Sequence, residues 1–179
     1  MLLKIMVASS EVEDFAMEIH IDADNTFADL QRTIQDACGY MDFGVHRFYV
    51  CDEDWRPEHR IFQTDAGVSL DEDVYLMDET PLEEFLEDEG QRLAYRFDPE
   101  SRRLLLMEVT ETSFGKTLTE PVIKRRHGQA PLQILVDDEP IAQPQETSDS
   151  EELEESFYGD DDYEADELDE EGFDVIGGE

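Results

Sequence analysis

The stretch NTFADLQRTIQDACGYMDFGVHRFYVC, residues 25–51, contains a complete helix and the strand that follows it. Thr26 can cap the helix, and Asp29, three residues later, can reach back to the capping residue. Gly39 can end the helix in left-handed backbone. Apolar residues recur at helical spacing and give the helix one core-facing stripe: Phe27, Leu30, Ile34 and Cys38. The segment VHRFYVC then predicts a strand.

Two short strands are predicted before this helix. They are LLKIMVA, residues 2–8, and FAMEIHI, residues 15–21. The second alternates apolar and polar side chains, as a half-buried strand requires, and places His20 on its polar face. The chain therefore begins with the order β-β-α-β, which is typical of an α+β domain whose helix covers one face of a sheet.

The segments after residue 51 complete an α+β domain with a mixed or antiparallel sheet and about two covering helices. Residues 52–67 predict a loop, and residues 68–79 predict a short strand. The segment TPLEEFLEDEG, residues 80–90, predicts a second helix that is capped at its start and ends in glycine. Residues 91–111 alternate, turn at DPES and return, which predicts a late β-hairpin. Residues 130–138 are compatible with a last strand or an extended segment.

Charge divides the chain into two parts. Residues 1–136 contain 29 acidic and 13 basic residues, a formal charge of −16, whereas residues 137–179 contain 20 acidic residues and no Lys or Arg. Together these make the −36 of the chain. The domain is therefore predicted over residues 1–136. Residues 137–179 are predicted to be an acidic, low-complexity disordered tail, because so few apolar residues cannot offset the entropy of ordering.

The acidic tail has the composition of a short recognition motif. A few apolar side chains are spaced among its acids: Phe157, Tyr158, Tyr163, Leu168 and Phe173. We expect these residues to bind a basic protein partner, with the acids steering the encounter. Such a tail also predicts weak, diffuse binding of divalent cations.

The lone histidine of the third strand, His46, has three possible roles. It alternates onto the same face as Phe48 and Val50, whereas Arg47 and Tyr49 point to the other face. A neutral imidazole on an apolar face usually hydrogen-bonds the backbone, which predicts a structural role. A contact with a ligand or partner and a catalytic role in a cleft are the alternatives.

These residues resemble a known family. A helix that ends in Gly39 and Tyr40, followed by His46-x-Phe48 in the next strand, resembles the plasmid pRiA third-open-reading-frame-like family, which also includes insertion-element passenger proteins. The start of a second family motif is similar, and three residues keep it: Tyr95, Phe97 and Asp98. The segment that follows lacks the Gly-Asp, Trp and His of that motif. Residues 128–131, GQAP, are similar to part of a third. The resemblance implies a compact α+β domain over about residues 1–135.

Other chemistry has little support in the sequence. Cys38 and Cys51 are too few for a disulfide framework and predict buried free thiols. Metal-ligand spacing, phosphate-binding loops and nucleophile motifs do not occur, so no metal site, cofactor or catalytic residue is predicted. The start of the chain predicts a strand rather than a signal peptide. No apolar run has the length of a membrane span. A cytoplasmic location is the expectation.

One basic cluster interrupts this acidic chain. Lys124, Arg125 and Arg126 precede His127 and Gly128 in KRRHG, which predicts an exposed loop. Surrounding negative charge makes direct nucleic-acid binding unexpected. The acid-rich tail begins only about fifteen residues later, so a flexible tail can reach back over roughly 20 Å. We therefore expect the tail to mask this cluster transiently at low salt.

Taken together, the sequence predicts a non-catalytic interaction module whose acidic tail binds a basic protein partner. Two alternatives come from other classes. One is an enzyme with a cleft around His46. The other is an acidic DNA mimic that occupies the groove of a nucleic-acid-binding protein.

Overall fold

A computed structural model describes residues 1–64 and 73–135. These residues form one α-helix, one 3₁₀ turn and eight strands. In chain order the elements are β1 (Leu2–Ser9), β2 (Ala16–Asp22), α1 (Phe27–Cys38), β3 (Arg47–Cys51), β4 (Pro57–Phe62), β5 (Tyr75–Leu76), the 3₁₀ turn (Leu82–Glu84), β6 (Arg92–Arg96), β7 (Leu104–Ser113) and β8 (Val122–His127). The predicted β-β-α-β start and the late hairpin, formed by β6 and β7, are confirmed.

All eight strands belong to one mixed sheet with the order β5-β4-β3-β6-β7-β1-β2-β8. Every pair is antiparallel except β4 with β5, which is parallel. The first hairpin, β1 with β2, joins the rest of the sheet through the pairing of β1 with β7. The sheet therefore combines strands from both ends of the described chain.

Helix α1 begins and ends as its sequence predicts. The Thr26 hydroxyl accepts a hydrogen bond from the Asp29 amide at 3.3 Å, and an Asp29 carboxylate oxygen accepts one from the Thr26 amide at 3.1 Å. Gly39 follows in left-handed backbone with φ of 71°, a conformation that glycine adopts without steric cost. These two ends fix the limits of the helix, and its buried residues Phe27, Leu30 and Ile34 face the sheet.

The core lies between α1 and one face of the sheet. Alternate residues of the strands supply its floor, as the two-residue period of a strand requires. Fully buried members of this layer include Leu3, Ile5, Met17, Ile19, Phe48, Leu93, Tyr95 and Leu105, and α1 contributes Phe27, Leu30 and Ile34. The other face of the sheet carries mostly charged and half-buried side chains.

The helix predicted for residues 80–90 is wrong, since the only helical turn there is the short 3₁₀ turn Leu82–Glu84. No side chain caps this turn, and Pro81 precedes it. The Leu82 and Glu83 amides donate instead to carbonyls within residues 23–25, at 2.8 and 2.9 Å. These bonds tie the segment to the chain just before α1.

Two further features oppose continuation of that turn into a helix. The Gln91 side-chain oxygen accepts hydrogen bonds from the Glu87 and Asp88 amides at 2.7 and 2.9 Å, so these amides do not serve a helical ladder. Residues 83–89 also include five acids, whose repulsion at helical spacing is unfavourable.

Two segments predicted as loops are strands. Strand β4 lies within residues 52–67 and pairs with β3. Strand β8 contains the KRRH cluster and pairs with β2 at the edge of the sheet. Both strands are largely exposed and lack a clean apolar alternation, so tertiary pairing rather than local pattern determines them. Basic side chains on an edge strand also discourage pairing with another molecule.

Candidate functional site

The residues that carry the family resemblance lie together beneath α1, and Tyr40 is at one end of the group. Its ring stacks on Phe97, with centroids 5.2 Å apart and planes 13° apart. Its hydroxyl donates to the Pro131 carbonyl at 2.7 Å. Burial raises the pKa of Tyr40, so the phenol remains a donor. Tyr40 thus anchors the last described segment to the core.

His46 is 1% exposed and both of its ring nitrogens contact the backbone. Nε2 accepts a hydrogen bond from the Phe43 amide at 3.2 Å. Nδ1 donates to the Arg96 carbonyl, also at 3.2 Å. This arrangement requires the neutral tautomer with its proton on Nδ1. His46 therefore connects the loop before β3 to the end of β6.

Phe48 and Tyr95 face each other across the β3–β6 pairing. Their ring centroids are 4.7 Å apart, and the Tyr95 ring is 5.9 Å from that of His46. Both aromatic residues are fully buried. Burial raises the pKa of Tyr95, and the Gln31 and Gln35 amides beside its hydroxyl oppose the shift in part. The motif histidine and aromatics thus form one continuous packing unit.

Asp98 organises the turn between β6 and β7. The residue as a whole is 2% exposed, and its carboxylate accepts hydrogen bonds from the Ser101 hydroxyl at 2.6 Å and from the Glu100 amide at 2.9 Å. Arg103 Nη1 adds an ion pair at 3.2 Å. Burial alone would raise the pKa of Asp98, but these hydrogen bonds outweigh burial and lower it to about 2.

The Asp98 carboxylate should stabilise the domain in a pH-dependent way. Its folded pKa lies below the ordinary 3.8, so the stabilisation is present above about pH 4 and is lost as pH falls through about 2. We expect Asp98→Asn to lower the free energy of unfolding by about 2 kcal/mol at pH 7. Urea unfolding at pH 7, 4 and 2.5 measures this difference, with exposed Glu100→Gln as the control. A difference that stays constant down to pH 2.5 would contradict the assignment.

Arg103 connects three separate parts of the domain. It makes two-pronged contact with the Glu11 carboxylate, at 2.6 Å from Nη2 and 2.8 Å from Nε. It also donates to the Leu132 carbonyl at 2.8 Å, and its guanidinium lies 4.9 Å from the Phe97 ring centre. The hydrogen bonds from Arg103 are the main reason the pKa of Glu11 is lowered.

A cavity of about 440 Å³ lies on the opposite face of the sheet from His46. Arg47 and Arg96 lie on neighbouring strands at one side of the cavity, and Tyr49 forms part of its wall. Arg102 and Arg60 also line it. In a chain with a formal charge of −36, this is a concentration of positive charge.

Trp55 reaches the same cavity from a tight turn. Its backbone φ is 63°, an unfavourable value for a bulky residue. The Asp52 carboxylate holds the turn by accepting from the Asp54 and Arg56 amides, both at 2.8 Å. The indole lies 5.0 Å from the Arg92 guanidinium carbon. A strained residue kept in place by its surroundings is a common feature of functional sites.

Sequence analysis missed this arginine-lined cavity. Its signal was present in the alternation of β3, where Arg47 and Tyr49 are the neighbours of His46 and Phe48. Arg96 has the same relation to Tyr95 in β6. The pairing of β3 with β6, which brings the two arginines together, does not follow from either strand alone.

The other predicted site residues divide between described and undescribed parts of the chain. Lys124, Arg125 and Arg126 lie in β8, where Arg125 approaches Glu18 at 3.9 Å and Arg126 donates to the Ala37 carbonyl. The predicted partner-binding residues and the predicted tail lie outside the described residues: Phe157, Tyr158, Tyr163, Leu168, Phe173 and the whole of 137–179.

Metal-ligand geometry is not found within residues 1–64 and 73–135, where no three His, Cys, Asp or Glu side chains come together as a possible metal site. In the same residues, no helix has the length and apolar character to cross a membrane. Cys38 and Cys51 are both free thiols, and burial raises the pKa of each.

The fold and the buried motif cluster define a class: an α+β domain in which one helix packs on a mixed sheet around a histidine and several aromatics. The chain belongs to the family of plasmid pRiA4b ORF-3-like proteins, whose model matches residues 3–133. This confirms the resemblance drawn from the sequence. The function of this family is not known.

A solved structure supports the same fold. A protein of unknown function, MM3350 from Methanosarcina mazei Go1, is similar with a TM-score of 0.51 and 13% sequence identity. The match covers 70% of this chain and 68% of that chain. At this identity the likeness shows the fold alone. No curated protein matches the sequence.

Proposed function

We propose that the protein is a non-catalytic interaction module whose acidic segment, residues 137–179, binds a basic protein partner. The observation that carries this proposal is the charge of the segment, which contains 20 acidic residues and no Lys or Arg. Such a segment attracts a basic surface over long range. The interspersed apolar side chains supply short-range contacts of the kind that fix a peptide in a groove.

The described domain offers a second acidic surface that supports the same kind of partner. A shallow groove there is lined by Glu83, Glu84 and Glu87 beside Phe114, whose side chain is 80% exposed. An exposed aromatic ring surrounded by acids suits contact with a partner that is both basic and apolar.

The enzyme hypothesis around His46 has less support. A general base needs a ring nitrogen within reach of substrate. Both nitrogens of His46 are used by backbone groups, and the side chain is buried. The free thiols of Cys38 and Cys51 favour a reducing compartment, and we place the protein in the cytoplasm on this basis.

The contribution of the apolar residues in the acidic segment can be separated from that of charge. One full-length variant replaces Phe157, Tyr158, Tyr163, Leu168 and Phe173 by Ser and keeps every acid. A matched variant keeps these five residues and changes five acids of residues 151–171 to their amides. The proposal expects the first variant to lose recovery of a basic partner at every salt concentration, and the second to weaken recovery mainly below about 0.15 M salt, where charges are least screened. Unchanged recovery with both variants would contradict it.

The acidic segment should also act on the domain itself. We propose that it contacts the basic cluster Lys124, Arg125 and Arg126 at low ionic strength. Each exposed ion pair is worth under about 1 kcal/mol, so the contact is transient and depends on several pairs. NMR shifts of residues 124–127 should differ between the full chain and residues 1–136 at low salt and converge above about 0.15 M. Identical shifts at low salt would show that the cluster is not masked.

A further inference from the structure

The arginine-lined cavity contains an arrangement that is unfavourable without a ligand. Arg47 and Arg96 are directly opposite in the antiparallel pairing of β3 with β6. Side chains at such positions begin about 4.5–5.5 Å apart, and like charges there are destabilising. Both side chains line the cavity. An anion between them would convert this repulsion into attraction.

No carboxylate in the described part of the chain pairs with either residue. Elsewhere in the sheet, bases have acidic partners: Arg92 pairs with Glu108 at 3.4 Å, and Lys4 with Glu111 at 2.5 Å. The lack of a carboxylate partner for Arg47 and Arg96 within the described residues therefore does not follow from a shortage of acids in the sheet.

The two guanidinium groups are held in place without being neutralised. Arg96 donates to the Ser101 and Pro99 carbonyls at 2.9 and 3.2 Å, and these neutral acceptors leave its charge intact. The Arg47 guanidinium lies 5.1 Å from the Phe62 ring centre. Its Nε is buried and has no hydrogen-bond partner within residues 1–64 and 73–135. A buried donor of this kind costs free energy until an acceptor arrives.

The cavity also has an aromatic wall. Tyr49 is two residues after Arg47 and lies on the same face of β3. Trp55 approaches the cavity from its strained turn. Aromatic faces of this kind stack on planar rings such as those of nucleobases. The volume of about 440 Å³ lies within the range of small-molecule sites.

We propose that this cavity binds a phosphate monoester carried on a planar ring, a ligand of the mononucleotide class. The phosphate lies between Arg47 and Arg96, with Arg102 at the rim, and the ring packs against Tyr49 and Trp55. Arginine suits this role because its fork of donors matches phosphate oxygens. The chain's charge of −36 repels a long polyanion, which favours a small ligand that fits inside the local positive field.

The single tryptophan gives a direct test, because Trp55 is the only Trp in the chain. Full-length protein is titrated with adenosine 5′-monophosphate, adenosine or inorganic phosphate at constant ionic strength, and Trp55 fluorescence is followed. We expect saturable quenching by the monophosphate and at least about tenfold weaker binding of the other two. No saturation, or equal binding of adenosine and its monophosphate, would overturn the proposal. Equal binding of inorganic phosphate would overturn the assignment of a ring.

Variants separate the cavity from general charge effects. Arg47→Met keeps an apolar stem over Phe62 and removes the opposed charge, so its melting temperature should not fall while affinity drops at least about tenfold. Arg102→Gln serves as a second variant that cannot disturb folding, because Arg102 is exposed, and it should bind several-fold more weakly. Arg32→Gln on α1 makes the same charge change away from the cavity and should bind normally. Wild-type affinity in both cavity variants, or an equal loss in Arg32→Gln, would overturn the proposal.

Discussion

Replacement of Arg103 by alanine is expected to lower the free energy of unfolding by about 3 kcal/mol. The variant loses the two-pronged pair with Glu11, the ion pair with Asp98 and the bond to the Leu132 carbonyl. The loss is large because the Arg103 side chain is only 11% exposed and the Asp98 side chain is 3% exposed, so solvent replaces these contacts poorly. The Glu11 side chain is 37% exposed, so solvent screens its pair with Arg103. The expected loss in free energy of unfolding is therefore at the low end of the range for buried ion pairs.

Two variants control this prediction. Arg103→Lys keeps the charge but loses the fork geometry and the stack on Phe97, so it should lose about half as much stability. Arg102→Ala changes the neighbouring exposed arginine and should have almost no effect. Urea unfolding at pH 7 gives all three values, and NMR titration should show the pKa of Glu11 returning toward its ordinary value in Arg103→Ala. Equal stability of the 102 and 103 alanine variants would contradict the described contacts.

Replacement of His46 by alanine is expected to cost a similar amount, about 3 kcal/mol. The change leaves a cavity beside Tyr95 and removes the partners of the Phe43 amide and the Arg96 carbonyl. Burial makes both losses expensive, because the side chain is 1% exposed and water cannot easily replace it. The expected result is a domain that folds but unfolds at lower denaturant concentration.

The control for His46 is its neighbour Val45, which is 46% exposed. Val45→Ala should change the free energy of unfolding by under about 0.5 kcal/mol. Unfolding curves of the two variants, measured side by side, separate a structural histidine from a functional one. A His46→Ala protein as stable as the wild type would contradict the structural role and revive the enzyme hypothesis.

Local signals predicted the parts of the fold that depend on neighbours in the chain. The capping pair Thr26 and Asp29 and the terminator Gly39 gave the limits of α1 correctly, because each acts within one turn of helix. Alternation predicted β2 and the β6–β7 hairpin, whose apolar faces are buried by the core.

Contacts distant in sequence account for the failures. Residues 80–90 have the pattern of a capped helix. However, the Leu82 and Glu83 amides donate hydrogen bonds to carbonyls within residues 23–25, and the acids of the segment repel each other. Strand β8 has an exposed pattern, and only its pairing with β2 makes it a strand. Neither partner is visible in the local sequence.

The two candidate sites illustrate the same limit. The motif at His46 and Phe48 could be found because both residues lie in one short strand. The arginine-lined cavity could not, because its opposed pair, Arg47 and Arg96, comes from strands that lie about fifty residues apart. The two arginines face each other in only one register of the β3–β6 pairing, and the sequence of neither strand determines that register.

The most direct test of the interaction module is recovery of partners by the full chain and by residues 1–136. Both forms are tagged at residue 1 and incubated with extract of the native cell, and NMR spectra verify that residues 1–136 keep the fold. A third bait presents residues 137–179 on an unrelated carrier, and a fourth presents the same residues in scrambled order. We expect this result: a discrete set of basic proteins binds the full chain and the third bait, is lost with residues 1–136, and binds the scrambled bait weakly. Recovery of the same proteins in equal amount by residues 1–136 would contradict it.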